Sequence, residues 1–319
     1  MIGNNMIKEN NLKFTPPHPL NTAVLFLVFN RLDTTKQVFE AIREAKPPRL
    51  YVAADGARET KNGEEEKTKQ VRDYILSSID WECEVKTLFR DQNFGCKMAV
   101  SGAIDWFFKN EEMGIILEDD CLPSQSFFWF CEELLEKYKE DMRVWHIAGN
   151  NFHLGWKRDE DYSYYFSYYG SIWGWASWRN RWQYYDVEMQ GYEEIKSKNY
   201  LWDVFGNKEE ANFRISNFDE IRNGLNTWDF QWAYARFINS GLSIVPTMNL
   251  IENLGFNEDA THTTSSSKWS ELALSEIDMN LNHPKFIIRD KVSDDKFALN
   301  FTKTSLILKI KKIIKSYVS

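Results

Sequence analysis

The chain predicts an α/β protein built on a mainly parallel sheet flanked by helices, and three observations predict it. Residues 22–29, Thr-Ala-Val-Leu-Phe-Leu-Val-Phe, form a near-continuous apolar run with the texture of a central strand buried on both faces. Strand and helix patterns then alternate through four strands within about 120 residues, the signature of βαβ connections. Each strand is followed by polar residues: Asn30 and Arg31, Asp55, Arg90 with Asn93, and Glu118-Asp119-Asp120. In parallel sheets ligands bind beyond the carboxyl ends of the strands, so these groups are expected at one edge.

The elements follow in order. After the first strand, Asp33 to Glu44 places Val38, Phe39 and Ile42 on one helical face, and Pro47-Pro48 stop it. Leu50 to Ala54 is a second strand closed by Asp55-Gly56. Glu59 to Lys69 is a charged loop or helix start, and Val71 to Ser77 is helical. Glu84 to Phe89 is a third strand, Ala99 to Phe108 a helix, and Gly114 to Leu117 a fourth strand ending in the acid triplet. Beyond Ser126 come a helix (127–139), strands at 144–148 and 162–169, and a Trp-rich segment (170–182). A helical stretch (195–223) precedes a helix opening at Thr227, taken as its N-cap, and a strand at 242–246. Residues 255–267 read as a polar loop holding Asp259 and His262. The expected organisation is an N-terminal arm (1–20), a sheet-bearing half (21–122), a second half of the same domain with a smaller subdomain (123–265) and a C-terminal extension (266–319).

Composition sets bounds. With 319 residues and 43% hydrophobic content the chain can bury a sizeable core. A net charge of −8 argues against nucleic-acid binding. Cys83, Cys96, Cys121 and Cys131 show no paired or zinc-ligand spacing, which fits a reduced, cytoplasmic protein. No signal sequence or membrane span is visible, and neither GxGxxG nor a P-loop occurs. Five lysines and no acid lie between Lys303 and Lys315, interleaved with apolar residues at helical spacing. That segment suits either a peripheral contact with an anionic membrane surface or a helix docked on its own domain.

The triplet carries the chemistry. Three adjacent carboxylates repel one another and are costly to bury unpaired, so a cation is expected there. Mg²⁺ or Mn²⁺ suits carboxylate oxygens and shares its remaining positions with phosphates; acids serving only a helix start are the plain alternative. Arg90 and Lys97 are candidate diphosphate contacts or simple surface charge. Trp173, Trp175 and Trp178 cluster in a glycine-containing segment and, with Trp228, form a candidate acceptor platform, although most tryptophans are core.

Together Val24 to Arg31, Ile115 to Asp120, Gly174-Trp175, Trp228-Asp229 and His262 resemble GT-A fold glycosyltransferases. The likeness is to the N-acetylglucosaminyltransferase I-like group and bacterial members of the nucleotide-diphospho-sugar transferase superfamily, over about three quarters of the chain, with Glu118-Asp119-Asp120 as a variant of the DxD motif. The resemblance implies a Rossmann-like GT-A sheet and Mn²⁺ or Mg²⁺ held by Asp120, with His262 as an additional metal or diphosphate contact. It implies donor contacts from Glu118 and Asp119 to sugar or ribose, from Asp55 to a base such as uracil, and from Arg31 (beside Asn30) to base or phosphate. Asp229 matches the catalytic base of inverting enzymes. The implied activity is transfer from a UDP-sugar to a glycan or lipid-linked glycan in surface polysaccharide synthesis. A sugar nucleotidyltransferase and a non-catalytic glycan-binding module are the alternatives.

Overall fold

The computed structural model describes residues 14–158, 161–255 and 272–299. His262, Asp259 and the basic 303–315 segment lie outside the described residues. The apolar run becomes β1 (Val24–Val28), buried throughout. It leads into α1 (Leu32–Ala45), which buries Val38, Phe39 and Ile42 and ends at Lys46 in a left-handed conformation before Pro47. β2 (Arg49–Ala54) precedes α2 (Glu64–Ser78), whose first turn carries Glu64, Glu65 and Glu66 against the helix dipole. β3 (Glu84–Phe89), α3 (Gly95–Asn110), β4 (Met113–Glu118), β5 (Cys121–Pro123) and α4 (Gln125–Tyr138) follow. The second half adds β6 (Val144–Ala148), β7 (Tyr164–Ser167), β8 (Trp175–Trp178), α5 (Arg179–Trp182), α6 (Tyr192–Ser197), α7 (Tyr200–Phe205) and α8 (Lys208–Arg222). The described elements close with α9 (Asp229–Ile238), β9 (Leu242–Pro246) and β10 (Ile251–Asn253).

An eight-stranded sheet runs in the order β3-β2-β1-β4-β8-β6-β9-β7, and β10 pairs with β5 in a small second sheet. β8 is antiparallel to both neighbours and β7 is antiparallel to β9; the other six strands share one direction. The period of two decides which residue meets which layer. Val24, Phe26 and Val28 pack into one core with α1 and α4, while Leu25 and Leu27 pack into the other with Phe107 of α3 and Trp232 of α9. The first of these cores also holds Ile147, Ile244 and Ile277, so the two halves of the chain share it. Among the described residues no helix is long and apolar enough to cross a membrane.

Three sequence expectations are corrected. The 195–223 stretch is not one helix: Asn199 and Gly206 take left-handed backbone conformations and divide the region into α6, α7 and α8. The 162–169 strand shortens to β7. Thr227 does not cap α9; Trp228 occupies the cap position, and the Thr227 hydroxyl donates to the Asp229 carboxylate instead.

Candidate active site

β1 lies beside β4 with Leu27 opposite Glu118, which sets residues 29–31 against the triplet. Arg31 Nη1 donates to Asp120 Oδ2 at 2.9 Å, and Arg31 Nη2 pairs with Asp119 Oδ1. The Phe29 amide donates to Asp119 Oδ2 at 3.2 Å. A guanidinium therefore occupies part of the place that the sequence reading gave to a metal. One guanidinium cannot neutralise three carboxylates, and the shortfall shows. Burial pushes the Asp119 carboxyl up to about 6 against the pull of Arg31. Burial, then the neighbouring Asp120 and Asp119, hold the Glu118 carboxyl well above its ordinary range. Glu118 Oε1 is buried with no hydrogen-bond partner among the described residues.

The same alternation that sends Ile116 into the α3/α9 layer carries Glu118 toward that side of the sheet. Asp229, at the first position of α9, is close enough to Glu118 to raise it further, and both bear on Cys96 at the start of α3. Burial, followed by these carboxylates, pushes the Cys96 thiol up to about 12, so it stays protonated. Tyr185 completes the cluster, with Asp105, Asp229 and Cys96 around it. Sequence reasoning missed Cys96 and Tyr185; neither lies in a motif, and only the packing of α3 against α9 brings them in. It also missed Gly255. β10 pairs Asn253 with Cys121, and the Leu254 amide donates to the Asp120 carbonyl at 2.7 Å. The backbone at Gly255 then lies so close to Asp120 Oδ2 that a Cβ would collide with it.

The remaining donor-side residues are held by the protein itself. Asp55 accepts from the Phe94 amide at 3.0 and 3.1 Å and from the Gly95 amide at 3.0 Å. It thus holds the start of α3, where Gly95 has φ 74°, and its oxygens are taken where a nucleotide base was expected. Asp55→Ala should cost about 1–3 kcal/mol of stability by orphaning those amides, a loss read as a lower midpoint in urea. Arg90 donates to the Ala99 carbonyl at 2.9 Å and stacks on Phe94; burial lowers its pKa. Asn30 donates at 2.9 Å to the buried Glu64, which also pairs with the exposed Arg58. The Lys97 amide donates to Asn226 at 2.9 Å, and its side chain is half-buried.

The tryptophan platform is corrected for three of its four members. β8 is an interior strand, so Trp175 is 0% exposed, stacked on Trp228 and on His146. Trp228 is buried beside it. Trp178 is buried and donates to the Leu135 carbonyl at 3.0 Å. Only Trp173 keeps a half-exposed edge, packed against Phe152. Gly174 beside it has φ 62° and abuts Ile251, which a side chain would strike. Among the described residues no three His, Cys, Asp or Glu side chains converge in metal-binding geometry.

No protein-family model matches the chain, and no curated protein matches it. Solved structures overlap it in part. A mannosyltransferase from Pyrobaculum calidifontis, in complex with GDP-Man and Mn²⁺, is 11% identical over 52% of this chain and 47% of that one, with a TM-score of 0.35. TarS (1–349) from S. aureus is 10% identical over 51% and 48%, with a TM-score of 0.35. HddC from Yersinia pseudotuberculosis is 10% identical over 50% and 78%, with a TM-score of 0.30. The chain spans about half the length of the first two. The fold class rests on the sheet itself: a large, mostly parallel sheet with helices on both faces.

Proposed function

We propose that the protein is a metal-dependent glycosyltransferase that moves a sugar, with inversion, from a nucleoside-diphosphate donor such as a UDP-sugar to a hydroxyl of a glycan or lipid-linked glycan acceptor. The observation that carries this reading is the unbalanced acid cluster at the end of β4. Among the described residues three carboxyl groups face one guanidinium, and Glu118 Oε1 is left without a partner. Mg²⁺ and Mn²⁺ need only one or two protein carboxylates when substrate phosphates and water supply the rest. Asp120, the more open member of the Arg31 pairs, would hold the metal, and Gly255 leaves beside its Oδ2 the space that a Cβ would fill. The bound metal would supply charge neutralisation for the departing diphosphate.

The chain's own residues would do the rest. Arg31 keeps Asp119 and Asp120 fixed and lends positive charge beside the phosphates. Asp229 faces the same corner from α9 and would accept the acceptor hydroxyl's proton as that oxygen attacks C1 of the sugar. Thr227 orients this carboxylate through its hydroxyl. Direct displacement by the acceptor hydroxyl needs this one base and no protein nucleophile.

The test is a thermal-shift series with UDP, UDP-sugars and GDP-Man, with and without Mn²⁺. A donor at 100 times its Kd should stabilise the fold by about 2.7 kcal/mol. The Mn²⁺-dependent part of that shift should vanish in Asp120→Ala. A nucleotide shift that ignores metal, or no shift with any nucleotide, removes the reading.

A further inference from the structure

The acid cluster occupies only the β4 part of the carboxyl edge of the sheet. Beyond the ends of β6 and β9, marked by Asn151 and Thr247, lies a cavity of about 390 Å³. That volume falls within the roughly 300–1,000 Å³ of small-molecule sites. From β4 the cavity is three strands away at β9 and four at β7, or roughly 14–19 Å at ~4.8 Å per strand. It shares an edge with the proposed chemistry but stands several sugar units away. Between the two, Asn150 Oδ1 is buried without a partner among the described residues, and Trp173 shows its half-exposed edge.

The lining is both aromatic and cationic. Trp156 offers a ring, and Phe286 and Ile288 form the rim at 69% and 67% exposure. Backbone pairing fixes that exposure. Phe166 of β7 bridges to Arg289, and the Asp290 amide donates to the Phe166 carbonyl at 2.7 Å. In the extended segment so formed, Ile287 and Arg289 turn inward and Phe286 and Ile288 turn out. Two of the cavity's cations are already matched: Arg158 with Asp290 at 2.8 Å, and Arg289 with Asp294 at 2.6 Å. Lys157 and Lys285 have no carboxylate partner among the described residues, and Lys296 sits over the Trp156 ring at 4.3 Å. Among the described residues the cavity wall carries more cations than carboxylates, on a chain whose net charge is −8, and that excess selects for anions.

We infer that this cavity seats an anionic carbohydrate, a sugar unit carrying a carboxylate or phosphoryl group, with Lys157 and Lys285 on its charge and Trp156 against its apolar face. Tryptophan supplies that face, and the half-buried Thr247 hydroxyl, which donates to the Ser163 carbonyl at 3.0 Å, keeps its lone pairs for a sugar hydroxyl. The concave shape and this hydroxyl favour a saccharide over a flat lipid surface. The role of this unit as the rear part of the acceptor rests on the transferase reading above; its binding here does not.

The test is calorimetric titration of the full chain, without nucleotide or metal, with an oligogalacturonate and a neutral galactan oligomer of the same length. The oligogalacturonate should bind, weaken with added salt, and lose at least tenfold in affinity in the Lys157→Gln/Lys285→Gln double variant. Trp156→Ala should weaken it too. Equal binding of the neutral oligomer, an undiminished affinity in the lysine variant, or binding to anionic phospholipid vesicles with none to either oligomer overturns the inference. Because nucleotide and metal are absent, such a failure removes this site alone, whereas failure of the thermal-shift series removes the transferase alone.

Discussion

Asp229→Asn is expected to lower sugar transfer by about 10²–10⁴-fold, the usual contribution of a positioned general base, while donor binding changes by less than about twofold. The substitution keeps the shape and the hydrogen bond from Thr227, and it keeps a helix-starting residue on α9. It removes only the capacity to take a proton. Single-turnover measurements separate the outcomes, since loss of a base lowers kcat and leaves donor affinity in place. A variant that transfers sugar at the wild-type rate ends the base assignment. A variant that loses donor binding together with rate makes Asp229 a donor contact.

Much of the sheet was legible because its signals are local. The Val24–Val28 run is apolar at every position since both faces are covered, and Val38, Phe39 and Ile42 repeat at helical spacing since only one face of α1 is. The co-location of Arg31 and the triplet follows from parallel order, which the alternation of strand and helix implies. What failed was set by contacts distant in sequence. Nothing in Ser-Ile-Trp-Gly-Trp-Ala-Ser-Trp reveals that β8 slots between β4 and β6, yet that position buries Trp175 and Trp178 and removes them from any ligand surface. Asp55 reads as half of an Asp-Gly turn; its engagement with the Phe94 and Gly95 amides depends on a loop 39 and 40 residues away. The cation expected at the triplet was correctly demanded by charge, but Arg31 supplies part of it from 88 and 89 residues away. The cavity near Lys157 and Lys285 joins residues from three separate segments, and no periodicity announces it.

A second large effect is expected on acidification. His146 is fully buried, and its hydrogen bonds fix one tautomer: Nε2–H donates to the Ser171 carbonyl at 2.9 Å, and Nδ1 accepts from Trp232 Nε1 at 3.2 Å. A second proton would set two donors against each other between Trp175 and Trp232, and burial, with Arg236 nearby, holds this imidazole well below its ordinary pKa. Burial likewise lowers His153 to about 4. The sign follows from linkage. Above pH 6.5 both the folded and unfolded states hold neutral imidazoles and nothing changes. Between about 6.5 and 4 the unfolded chain binds protons that the fold refuses, so each histidine removes up to about 1.4 kcal/mol of stability per pH unit. Asp119, raised to about 6, and Glu118 act in the opposite direction, because the folded state takes up their protons first. The individual contribution is therefore read as a difference: urea titrations at pH 7, 6, 5 and 4.5 on the wild type and on His153→Gln. The variant's stability should fall with acid by about one proton's slope less than the wild type's, and parallel curves would mean that His153 titrates normally in the fold.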